Sequence, residues 1–157
     1  MKPEELLAKN IEHAKLHRDR IIDALSHLEN LLPITHENFM NLASEEKAYL
    51  DVLAIRFIKL QDIIGSRIFP LTLSVMKENV ETNRFLDILN KLEKIRIIES
   101  GDFWLEIREI RNYIAHDYPE NDQITIEAVN NLYKSSQKLV LFFNKYIEKL
   151  KADFIID

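Results

Sequence analysis

The sequence has no cysteine, and its 157 residues include only two glycines, four prolines and one tryptophan. The missing thiols exclude disulfides, zinc–thiolate sites and cysteine nucleophiles together, and they fit a reducing, cytoplasmic compartment. So few glycines and prolines cannot supply the closely spaced turns of an all-β fold or a glycine-rich phosphate loop. No stretch approaches the 18 or so apolar residues of a membrane span, and the charged opening MKPEELLAKN lacks the apolar core of a signal peptide. A soluble protein that avoids membranes is expected. Basic charge is also short: 21 Lys and Arg face 26 Asp and Glu, a net charge of −5. That balance disfavours wrapping long nucleic acid by bulk electrostatics but leaves room for a local cationic site.

What the chain does have is apolar residues, 46% of the total, in helical register. Leu7, Ile11, Ala14, Ile21, Leu25, Leu28 and Leu32 lie on one face, interrupted by Arg18, and predict a first helix over about residues 3–31 between Pro3 and Pro33. A helical turn around Glu37 to Leu42 follows. Ser44 is the expected N-cap of a second long helix carrying Leu50, Leu53, Ala54, Phe57, Leu60, Ile64 and Ile68, with Pro70 as its stop. Gly65 inside that pattern implies close approach of a neighbouring helix. After a loose stretch from Leu71 to Glu81, Thr82 caps a third helix through Phe85, Leu89 and Leu92, ending near Ile98.

Asp102 is the expected start of a fourth helix that runs toward Asp117 and finishes at Tyr118, where Pro119 disfavours the α conformation. Asp122 or Thr125 opens a last helix of about 25 residues with Val129, Leu132, Ser136, Leu139, Phe143, Ile147 and Leu150 on one face. The expected fold is all-α: one domain over residues 1–157, an antiparallel up-down bundle of four long helices plus short helical pieces.

Chemistry concentrates in WLEIREIRNYIAHDYPE, residues 104–120. At about 100° per residue, with Arg111 at zero, Arg108 falls near 60°, Asn112 near 100° and His116 near 140°, while Ile107, Ile110 and Ile114 lie on the other side. Two guanidiniums, a carboxamide and an imidazole on one arc suit phosphate chemistry. Arginine forks grip phosphoryl oxygens, and imidazole exchanges protons near neutral pH. With a ribose 2′-hydroxyl as nucleophile, His116 as acid or base and Arg111 offsetting charge suffice for RNA cleavage without a metal. His13 and His17, four apart, lack the rest of a metal-binding pattern and read as a solvated face. Arg18 either reaches out along its stem or pairs with an acid such as Asp51 or Asp62, and Arg56 could reach the arc from the second long helix.

The string RNYIAHDY, residues 111–118, resembles the Arg-x4-His motif of HEPN domains, and its extension to Tyr118 is similar to the HepT toxins of that superfamily. The resemblance implies a metal-independent ribonuclease with Arg111 and His116 catalytic and Asn112 and Arg108 in support. It further implies a homodimer with facing motif helices, and a partner: a minimal nucleotidyltransferase antitoxin that moves AMP from ATP onto Tyr118. The toxin itself would need no cofactor, since ATP and metal belong to that partner. The alternative within the family is a non-catalytic subunit that binds nucleotide or substrate for a nucleotidyltransferase. A helical adaptor in which the motif is coincidental is the third reading.

Overall fold

In the computed structural model, residues 1–80, 84–115 and 121–157 are described. Seven α-helices account for most of them: α1 Pro3–His27, α2 His36–Met40, α3 Ser44–Ile63, α4 Phe69–Val75, α5 Phe85–Lys94, α6 Gly101–Ala115 and α7 Asp122–Ala152. Among the described residues there is no strand, so the chain is all-α, and none of these helices is long and apolar enough to cross a membrane. One core draws Leu7, Ala14 and Ile21 from α1, Phe57 and Leu60 from α3, Phe69 from α4, Leu89 from α5, Trp104 from α6, and Leu139 and Phe143 from α7.

Pro70 does not stop the second long helix. The backbone continues from α3 through a wide π-helical turn, Ile64–Ile68, into α4, with the Phe69 amide donating five residues back to the Ile64 carbonyl. Proline lacks an N–H and its ring collides with the carbonyl four residues back in a regular helix. A π turn just before it, together with its place in the first turn of α4, removes that conflict and lets the chain bend instead of break.

Gly65 lies within that turn, and a Cβ there would come 3.3 Å from Cζ2 of Trp104. The expected close approach is therefore real, and the intruding group is the fully buried indole of α6.

Several helix ends fall elsewhere than expected. Helix α1 closes at His27, and Leu28 through Leu31 continue only as turns. The following connector is pinned from across the molecule: Asn130 of α7 accepts from the Ile34 amide at 2.7 Å and donates to the Ile34 carbonyl at 3.0 Å. Ser100, not Asp102, receives an amide at the start of α6, from Phe103 at 3.4 Å. Asn121, not Asp122 or Thr125, caps α7 by accepting from the Ile124 amide at 3.2 Å, which lengthens that helix to 31 residues. Thr82, the expected cap of α5, lies outside the described residues.

Three helices end in left-handed residues that are not glycine: Lys77, Arg96 and Phe154, with φ of 56°, 64° and 57°. Each is followed by an amide that bonds five residues back, Glu78 to Leu73, Ile97 to Leu92 and Ile155 to Leu150. This is the usual glycine-terminated helix ending, built here without glycine.

Candidate functional site

On α6, Trp104, Ile107 and Arg111 are spaced by three and four residues, and the first two are buried against the core. Arg111 is the next member of that stripe, so its side chain turns inward instead of joining an outer polar arc. Arg108 and Asn112 lie on the exposed side. The inward guanidinium meets Asp62 near the end of α3: Nε and Nη2 each donate to one carboxylate oxygen at 2.8 Å. This bidentate grip holds the arginine's pKa above its ordinary value, the hydrogen bond being the main cause.

A guanidinium has five N–H donors. Asp62 takes the side edge of Arg111, and the end edge, made by Nη1 and the second hydrogen of Nη2, bonds no described residue. The geometry therefore does two things at once. It fixes the plane of the guanidinium, and among the described residues it leaves one complete fork without a partner, a geometry suited to an anion. It also sets a carboxylate beside that fork, which lowers the net positive charge there.

Arg108, one turn back, stands over the Phe85 ring of α5 with its guanidinium carbon 4.6 Å from the ring centroid. A cation–π contact at so exposed a position is worth about 0.5–1 kcal/mol. Below it opens a cleft of about 310 Å³ lined by Gln61, Asp62, Gly65, Ser66, Phe85 and Arg108. Asp62 is thus shared between the cleft and Arg111.

Of the residues expected to form the site, Arg108 lines the cleft, Arg111 is tied to it through Asp62, and Asn112 is exposed with no hydrogen bond to a described residue. His116 and Tyr118 lie outside the described residues. Three contributors were missed: Asp62, Gln61 and Phe85. In the sequence Asp62 stands out only as a possible partner for Arg18. Arg18 instead bonds Asn144 of α7 and its neighbour Asp19, both at 3.0 Å, and lies 5.7 Å from the Phe143 ring centroid. Arg56 stays away from the site and pairs with His17 on α1, Nη1 to Nδ1 at 3.0 Å.

His17 is accordingly half-buried, not solvated, and burial together with Arg56, Lys59 and His13 pushes its pKa down. A signal for Gln61 did exist, because it sits at a core spacing with Phe57, Ile64 and Ile68, where a polar side chain is anomalous. Among the described residues no three His, Asp or Glu side chains gather as a metal site. No family model matches the chain, and no curated protein and no solved structure matches it.

Proposed function

We propose that the chain is a metal-independent endoribonuclease of the HepT toxin type, cytoplasmic, with α1, α3, α6 and α7 arranged as the antiparallel HEPN bundle. The observation that carries this reading is the Arg111 guanidinium, held in one plane by Asp62 with its second fork bonding no described residue, next to a cleft lined by Asp62 and Arg108. An arginine held in one plane is a better stabiliser of a developing phosphorane charge than a mobile one, because no reorganisation is needed in the transition state.

In the reaction, His116 removes the proton of a ribose 2′-hydroxyl, the oxygen attacks the adjacent phosphorus, and the bond to the 5′-oxygen breaks as the imidazolium so formed returns its proton to that leaving oxygen. The products are a 2′,3′-cyclic phosphate and a 5′-hydroxyl. Arg111 and Arg108 offset the added negative charge, and Asn112 supports them. The working unit is a homodimer that pairs two motif helices. Its antitoxin is a nucleotidyltransferase that places AMP on Tyr118, where the new phosphodiester competes for the same guanidiniums.

Cleavage of RNA by wild type in EDTA, compared with Arg111→Ala and His116→Ala, tests this reading. Loss of about 10²- to 10⁴-fold in the His116 variant, with helicity unchanged, supports it. Full activity in both variants overturns it. Each AMP gained on co-expression with a nucleotidyltransferase adds about 329 Da at a hydroxyl, and Tyr118→Phe should remain toxic and escape that control. A second reading, a non-catalytic HEPN subunit that binds nucleotide, is favoured by the Asp62 carboxylate, which offsets part of the Arg111 charge. Nucleotide binding with no cleavage by wild type would select it.

A further inference from the structure

We propose that the cleft formed by α3, α5 and α6 is a subsite for one unpaired nucleobase of an RNA strand, with the adjoining phosphate at Arg111; that phosphate position rests on the ribonuclease reading above. The cleft, about 310 Å³, lies at the small end of ligand sites, which run from about 300 to 1,000 Å³.

Its floor contains Gln61, which is only 5% exposed and forms no side-chain hydrogen bond with any described residue. The fully enclosed unpartnered side-chain atoms among the described residues are Trp104 Nε1 and Ser136 Oγ, not the Gln61 amide, so that amide is reached from the cleft and is available to a ligand there. The amide presents one acceptor and a pair of donors side by side, the complement of a base edge. Ser66 does not satisfy it, since its hydroxyl donates to the Asp62 carbonyl at 2.6 Å.

Phe85 supplies the stacking surface. Its ring is half-buried and braced near Gly65, and the Arg108 guanidinium stands over its face. An exposed cation–π contact is worth about 2- to 5-fold in an equilibrium constant. Base stacking on an aromatic side chain is worth about 5- to 160-fold. A base therefore displaces Arg108 from the ring, and the freed guanidinium moves to a phosphate alongside Arg111, one helical turn away. Base pairing in a duplex occupies the edge that Gln61 would read, so the ligand is single-stranded RNA.

The test is calorimetric binding of the four ribonucleoside 5′-monophosphates and of ribose 5-phosphate to wild type, Gln61→Leu and Phe85→Leu, with a thermal melt of each. Wild type should bind nucleotides more tightly than ribose 5-phosphate and discriminate among the bases. Gln61→Leu should flatten that discrimination while its melting temperature holds or rises, which a merely structural amide would not do. Phe85→Leu should weaken all four nucleotides by about 5- to 160-fold and leave ribose 5-phosphate unchanged. Ribose 5-phosphate binding as well as the nucleotides, no nucleotide binding, or wild-type discrimination in Gln61→Leu would each overturn the subsite.

RNA cleavage by the same proteins separates the two claims. Base-selective binding without cleavage removes the nuclease and keeps the subsite. Cleavage whose KM and base preference are untouched by Gln61→Leu removes the subsite and keeps the nuclease.

Discussion

Removing the Asp62 carboxylate isolates the contact on which the site's geometry depends. The pair is bidentate at 2.8 Å, with the Arg111 side chain 28% and the Asp62 side chain 45% exposed. Fully buried charge-assisted bonds of this kind contribute about 1.5–3 kcal/mol each. With nearly half of the carboxylate in water, screening reduces this to the range of surface pairs, about 0.2–1 kcal/mol, and the matched fork places it at the upper end.

A double-mutant cycle of Asp62→Ala and Arg111→Met should therefore give a coupling of about 1 kcal/mol in chemical unfolding. Each single variant should melt about 2–4 °C lower. The coupling should shrink as salt rises from 0.1 to 1 M, because the Debye length falls from about 10 to about 3 Å. On the proposed function, Asp62→Ala also removes the charge that competes with phosphate and frees the plane of Arg111. Apparent RNA affinity should rise while turnover falls about 10- to 100-fold. A coupling below about 0.3 kcal/mol, or one indifferent to salt, would refute the assignment of Asp62 as the positioning partner.

Gly65→Ala sets a helix-propensity gain of about 1 kcal/mol against overpacking onto the fully buried Trp104, 3.3 Å from the new Cβ. The overpacking cost of about 1–3 kcal/mol should prevail, and the melting temperature should drop. For His17, the folded pKa lies below the unfolded value of about 6.5, so the unfolded chain binds more protons on acidification. Its contribution should be complete above about pH 7 and decline as pH falls through 6.5 toward the lower folded pKa, and NMR should find His17 titrating below that value. Lys77→Gly relieves an exposed left-handed residue, φ 56°, and should raise stability by about 1 kcal/mol in denaturant unfolding. A loss in that variant would mean that the lysine side chain contributes more than its backbone strain costs.

The helices themselves were legible in the chain, because burial on one face imposes a three-and-four spacing of apolar residues that needs no knowledge of partners. Gly65 was legible for a related reason: a costly residue in a helix implies a neighbour that needs its space. Helix ends were less so, since three of them use Lys77, Arg96 and Phe154 where glycine would have marked the stop, and Pro70 is absorbed by the π turn that joins α3 to α4. The motif residues Arg108, Arg111 and Asn112 were found by spacing, yet their orientation was not. Whether Arg111 points outward or into the bundle depends on Trp104 filling the core one stripe earlier, and on Asp62 standing opposite. Local order along a helix is set by residues a few places apart, whereas the Asp62–Arg111 pair and the Gln61–Phe85 cleft join groups from helices far apart in the chain. Tertiary packing alone chose those partners.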